Sequence, residues 1–310
     1  EKRHVNRLEG KVTRVNLDQE TGNISSLNLE NNRTVEGDFF FDCTGFRALL
    51  SGKSLKTPFT DWGHWLPCDT AQTVASERNG ELLPYTKSTA KSAGWQWRIP
   101  TQRRTGNGHI YSSKFMKDND ALEILLDGID TNLIGTPRKI SFKTGCRKNL
   151  WNKNCISIGL SAGFLEPLES TSLYLIQAGI SKFITLFPTA EISDLVRNEY
   201  NKQMLKEFYQ VRDFIILHYK ATERNDSDFW NYCRNMSVPD SLKNKMELFN
   251  KIIKVVVSLQ AVVLLFIVMG WFGTETAMTA MEMGAWALDM EATYGEGVWQ
   301  RLEELENLAK

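Results

Sequence analysis

The segment from Cys155 to Phe187 constrains this chain more than any other. A β-like run, Cys155 to Ile158, passes through Gly159-Leu160-Ser161-Ala162-Gly163 and a proline-bearing turn into a helix. That helix is read from Leu173, Ile176, Ile180, Phe183, Ile184 and Phe187, which recur at spacings of 3, 4, 3, 1 and 3 as one apolar stripe, with Pro188 as its stop. Small residues between strand and helix let backbone come close to a ligand, and the free N–H groups of the first helical turn, with the helix dipole, suit an anion. Ser170 and Thr171 are placed to cap that end. Glu169, immediately before it, is either a dipole partner or a carboxylate aimed into a cavity, where partial burial would fit it for proton transfer.

The rest of the chain mixes strands and helices, an α/β (α+β) pattern. Val12 and Val15, then Leu27 and Leu29, sit in β-prone runs on either side of the turn-forming stretch Asp18 to Asn23. Gly37 to Gly45 contains a short apolar strand, read as buried on both faces, that leaves through Thr44-Gly45. Further β-like runs cover Gly94–Pro100, His109–Ser113 and Arg138–Phe142, with helices near Asp118–Asp127, over about 190–219 and around 240–250. After Lys254 the character changes. Val255 to Thr274 is a run of twenty residues without a charge, long enough to cross a bilayer although Ser258 and Gln260 dilute it, and an acidic, Met-rich tail follows. A membrane anchor and a buried helix are both open for it.

Composition excludes several functions. The 37 Lys and Arg balance 37 Asp and Glu, so a strongly basic nucleic-acid binder is ruled out, and 42% apolar residues rule out a disordered tail. Five cysteines without a C-x-x-C pair and four scattered histidines indicate neither a disulfide framework nor a metal site, and a reducing cytoplasm is the default compartment.

Gly94-Trp95-Gln96-Trp97-Arg98-Ile99-Pro100 places two indoles on one face of an extended segment. By spacing alone they are either a Trp-rich core strand or a cavity wall. This segment also resembles the W-x-W-x-I-P signature of the flavin-dependent halogenases. Gly163-Phe164-Leu165-Glu166-Pro167-Leu168-Glu169-Ser170-Thr171-Ser172 resembles their G-F-x-x-P-L-E-S-T segment. Phe41-Asp42-Cys43-Thr44-Gly45-Phe46-Arg47, Tyr85-Thr86-Lys87-Ser88-Thr89-Ala90, Arg104-Thr105-Gly106-Asn107-Gly108-His109 and Trp151-Asn152-Lys153-Asn154-Cys155 fall in the order of the tryptophan halogenase branch.

The resemblance covers roughly residues 1–250. It implies an FAD-dependent, aromatic-hydroxylase-like flavoprotein fold, partial here, with a mainly helical C-terminal part. The expected division is 1–187 as the remainder of the FAD-binding halogenase core, 188–251 as a helical substrate-side region, and 252–310 as a tail without family character. The implied reaction is FADH₂- and O₂-dependent chlorination or bromination of tryptophan or a related aromatic substrate, through a flavin hydroperoxide and hypohalous acid. A separate flavin reductase is the implied partner, in the cytoplasm rather than at a membrane, and a homodimer is kept open.

By the same resemblance Glu169 is the catalytic glutamate. Trp95, Trp97, Ile99 and Pro100 belong to the tunnel signature, and the backbone N–H groups of Thr171 and Ser172 to the halide site. Val12, Gly159, Leu160, Gly163 and Leu175 are the expected flavin contacts. Family members often have Gly where this chain has Ser172. The family's G-x-G-x-x-G turn and essential lysine have no counterpart here, and the chain opens without Met, so it is read as an N-terminally truncated halogenase that binds FAD weakly and turns over little. The alternatives are a flavin monooxygenase of the same fold and a non-catalytic, membrane-tethered remnant.

Overall fold

A computed structural model describes residues 5–82, 85–187 and 192–251. The described residues up to Met236 belong to one compact unit; Ser237 begins a second, whose residues 240–251 are helical. The apolar run 255–274 and the acidic tail lie outside the described residues, among which no helix is long and apolar enough to cross a membrane.

Four sheets, counted among the described residues, build the first unit. Val12–Leu17, Ile24–Leu29 and Thr34–Glu36 form an antiparallel meander across the Asp18–Asn23 turn. Asn154 holds it to the body of the unit: the Ile24 N–H donates to its Oδ1 at 2.9 Å, and its Nδ2 donates to the Ile24 and Asp38 carbonyls at 2.8 and 3.0 Å. The largest sheet has five antiparallel strands, ordered Leu133–Ser141, Thr70–Ser76, Thr105–Tyr111, Gly94–Pro100 and Lys87–Lys91. Helix α1, Asp118–Asp127, covers it through buried Ala121 and Leu125. A third sheet joins Gly163–Phe164, Gly145–Arg147 and Phe59–Asp61.

The fourth sheet sets up the site. Cys155–Ser157 runs parallel to Phe40–Asp42, so both strands release their C-terminal ends at the same edge, into the turns that begin at Gly45 and Gly159. Ligands of parallel sheets bind beyond such ends. Asp42 fastens this edge. Its carboxylate accepts from the Thr44 N–H and hydroxyl, the Leu50 N–H, and the Ser51 N–H and hydroxyl. Burial acts to raise its pKa, but the hydrogen bonds from Thr44 and Ser51 outweigh burial and hold it below the ordinary value. Between Phe40 and Asp42, Phe41 is 47% exposed, so the strand is not buried on both faces as its composition suggested.

Helix α2, Ser172–Thr185, and the 27-residue helix α3, Asp194–Lys220, pack on this sheet. Asn201 of α3 makes paired hydrogen bonds to the Trp151 backbone, at 2.8 and 2.9 Å. The stripe expected to bury α2 does not: Leu173, Ile180, Ile184 and Phe187 are exposed, while Leu175, Gly179 and Phe183 are buried. Of the expected stripe only Phe183 is buried, and it packs among Phe39, Phe41 and Trp151. Periodicity shows that a helix has an apolar face, but the neighbouring elements choose which flank is covered. Helix α4, Asp228–Asn235, is capped by Ser227 and fixed by the Trp230 indole N–H, which donates to the Lys91 carbonyl at 2.7 Å.

Candidate active site

The strand–turn–helix segment forms one wall of a cavity of about 120 Å³. Gly159 takes a φ of +67°, which a side chain rarely adopts, and this lets the chain turn sharply from Ile158 into the 3₁₀ turn Gly159–Ser161. The lining includes Ser157, Gly159, Leu160, Gly163, Ser172 and Leu175, closed from α3 by Met204 and Phe208. Four expected flavin contacts and one expected halide donor therefore share one cavity. Val12 does not line it; it sits on the meander, paired with Leu29.

Downstream, Pro167–Glu169 forms a second 3₁₀ turn, Ser170 adopts a left-handed φ of +54°, and α2 begins at Ser172. The expected side-chain cap is absent. Thr171 is itself in a helical conformation, which takes its hydroxyl away from the first-turn N–H groups, and its Oγ1 is buried without a hydrogen-bond partner among the described residues. An uncapped helix start beside a buried, unpartnered hydroxyl is suited to an incoming anion.

Glu169 lies 2.9 Å, Oε1 to Nε2, from His218 on α3, with its side chain 41% exposed. The Nδ1 of His218 meets the Phe214 carbonyl at 2.8 Å; a carbonyl only accepts, so Nδ1 carries a proton. Among the described residues no group of three His, Cys, Asp or Glu is placed to hold a metal ion.

Trp95 and Trp97 stand on the same side of their strand with ring centroids 6.0 Å apart. Trp97 lies flat on the next strand at Gly108, where an added Cβ would come within 2.0 Å of its ring. Ile99 is 39% exposed, and Pro100 ends the strand opposite Thr105. Trp95 is buried and its indole N–H donates to Glu166 Oε2 at 2.8 Å; the Tyr219 hydroxyl donates to the same oxygen at 2.6 Å. Glu166 is wholly buried, and burial pushes its pKa up to about 7 against the opposing pull of Trp95 and Tyr219. Cys68 lies 3.5 Å from the Tyr219 hydroxyl, its thiol pKa driven up chiefly by burial.

Sequence reasoning passed over Glu166, Tyr219 and His218. Glu166 stands inside a quoted motif, where an acid among Phe164, Leu165, Pro167 and Leu168 was the available signal. Nothing local marks the other two, which reach the site only because α3 folds back over it.

Residues 1–283 match the family model described as tryptophan halogenase, a span that runs past the last of the motifs quoted above. The chain belongs to the tryptophan halogenase family. Curated relatives include a tryptophan 7-halogenase of Kutzneria sp. (strain 744), 34% identical over 80% of this chain and 47% of that protein. A tryptophan 6-halogenase of Streptomyces albogriseolus is 35% identical, again over 80% and 47%. Among solved structures, a flavin-dependent halogenase from Xanthomonas campestris superposes with a TM-score of 0.78 at 44% identity, over 80% of this chain and 50% of that one. This halogenase-family chain thus has the mixed sheet-and-helix fold of the flavin-dependent halogenases, and it spans about half the length of the relatives it matches.

A flavin is much larger than the 120 Å³ cavity, so only its edge can be tested against it. The lining fits such an edge: it is mostly apolar and lies at the C-terminal end of the strand Cys155–Ser157, with the Ser157 hydroxyl buried and unpartnered among the described residues.

Proposed function

We propose that the protein of which this chain is at least a part halogenates tryptophan or a related electron-rich aromatic compound, using reduced FAD, O₂ and chloride or bromide. The observation that carries this reading is the joining of Glu169, the uncapped start of α2 and the Gly159–Gly163 cavity wall in one segment. Bound FAD, reduced by a separate flavin reductase, supplies the two electrons with which O₂ oxidises halide to hypohalous acid, with water as the other product.

The chain's own residues then have definite tasks. Gly159, Leu160, Gly163 and Leu175 line the cavity that would take part of the flavin, and would exclude water there. The N–H groups of Thr171 and Ser172, at the positive end of α2, hold the halide. Trp95 and Trp97 wall the path towards the substrate with surfaces that offer hypohalous acid little water. Glu169 orients the halogenating species. The ring carbon bonds to halogen as the oxygen–halogen bond of hypohalous acid breaks and its oxygen leaves as hydroxide; the C–H electron pair then returns to the ring while a carboxylate oxygen of Glu169 takes the proton and passes it to that hydroxide, giving water. His218 Nε2 stands 2.9 Å from that carboxylate.

The test is an assay of the chain, alone and joined to the N-terminal half of a relative, with a flavin reductase, NADH, O₂ and bromide. Halogenated product from an indole, phenol or pyrrole supports the reading. Hydroxylated product without halide incorporation would replace it with a monooxygenase, and no product from any of them would end it.

A further inference from the structure

A buried indole N–H needs an acceptor, and a backbone carbonyl or an amide would serve. Trp95 has a carboxyl group instead. Its N–H and the Tyr219 hydroxyl converge on Glu166 Oε2 from the signature strand and from α3. Oε1 is buried with no hydrogen-bond partner among the described residues, and none of the described groups acting on the Glu166 charge is a cation. Such a carboxyl is a costly way to fill space, because a buried acid without a counter-charge is less stable than an apolar side chain of similar volume. Its placement gives it a use. Glu166 lies in the same segment as Glu169, between the short strand Gly163–Phe164 and the turn Pro167–Glu169.

The two parts joined by this bond differ in stiffness. The strand Gly94–Pro100 has neighbours on both sides, and Trp97 is seated on Gly108. The segment 163–171 has only a two-residue strand, one 3₁₀ turn and a left-handed serine. We propose that Glu166 is a positioning residue: by accepting the Trp95 indole N–H it ties the Glu169 segment to the signature strand. It thereby sets Glu169 and the N–H groups of Thr171 and Ser172 against the Trp95–Trp97 wall. The tie itself is independent of function, while its use in positioning rests on the halogenase reading above.

Glu166→Leu leaves two buried donors without an acceptor and frees the indole to rotate. Glu166→Gln keeps a carbonyl oxygen that can accept from both. Misplacing reacting groups by an ångström costs about a hundredfold in rate, so a tenfold or greater loss of kcat is expected for Glu166→Leu. KM for the aromatic substrate should stay unchanged, and Glu166→Gln should recover most of kcat.

The first measurement uses the ¹⁵N-labelled chain, with the Trp95 indole resonance assigned through Trp95→Phe. In the wild type and Glu166→Gln this proton exchanges slowly with D₂O; in Glu166→Leu it moves upfield and exchanges fast. A Trp95 resonance that is unmoved and equally protected in a folded Glu166→Leu protein overturns the tie. Should that variant fail to fold, Glu166→Gln decides alone, since exchanging carboxyl for amide must displace the Trp95 resonance, and an unmoved one overturns the proposal. The second measurement is bromination. An unchanged kcat in Glu166→Leu overturns the positioning role, whereas a wild type that forms no halogenated product fails the halogenase reading and leaves the tie to the resonance data.

Discussion

Glu166 makes the stability of this chain depend on pH in a direction opposite to that of most carboxylates. Burial raises its pKa from 4.5 to about 7, and the bonds from Trp95 and Tyr219 offset only part of that. Multiplying this rise by about 1.4 kcal/mol per tenfold change in proton affinity gives about 3 kcal/mol. The sign follows from proton counting. Below pH 4.5 the acid is neutral in both states and its native environment carries no penalty. Between 4.5 and about 7 the unfolded chain releases the proton while the folded chain keeps it, so stability falls as pH rises, with the full loss reached above about 7. Glu166→Gln stays neutral throughout and still accepts from both donors. Urea unfolding of both proteins at about pH 5 and about pH 8, followed by tryptophan fluorescence, isolates the effect, because every other titrating group is common to the pair. The variant should gain about 2.5 kcal/mol on the wild type between the two conditions, since part of the full loss is already present at about pH 5. Parallel pH dependences would refute the reasoning, and a wild type that gains on the variant as pH rises would show the carboxylate to be paired with a cation.

Other substitutions test other parts of the argument. Gly108→Ala puts a methyl group 2.0 Å from the Trp97 ring, so the ring must leave its seat; a loss of about 1–3 kcal/mol in thermal unfolding and a changed near-ultraviolet dichroism are expected. Asn154→Ala strips partners from the buried Ile24 N–H and carbonyl and from the Asp38 carbonyl, and should cost about 2 kcal/mol or more by urea titration. Asp42, whose pKa is lowered in the folded chain, stabilises above its ordinary value of 3.8 and loses that contribution as pH falls below 3.8 and through its lower folded value, so Asp42→Asn should flatten the acid side of the stability curve. Glu169→Gln, at a half-exposed position, should leave the unfolding midpoint almost unchanged while abolishing halogenated product in the assay above.

The family could be read from the chain alone because its motifs are consecutive residues whose chemistry is local. The W-x-W-x-I-P strand needs an extended segment, and the Gly159-to-Ser172 run needs a strand, a tight turn and a helix start; both are short-range requirements that composition and spacing express directly. Several strand and helix positions were legible for the same reason: the helix at Asp118–Asp127 stands where its pattern placed it, and α2 and α3 lie close to theirs, whereas the strand Thr70–Ser76 and helix α4 were not read from the chain. What the chain alone did not determine concerns facing and burial. The apolar stripe of α2 is mostly exposed, Phe41 points out of its strand, and Thr171 leaves its helix uncapped, since each depends on which neighbour arrives from elsewhere in the sequence. Tertiary structure alone brought Tyr219 and Trp95 to one oxygen of Glu166, from positions 53 and 71 residues away. It also turned an unremarked acid between motif residues into a buried carboxyl with its pKa near neutrality. Desolvation and hydrogen bonding are properties of a surrounding volume, and only folding assembles that volume.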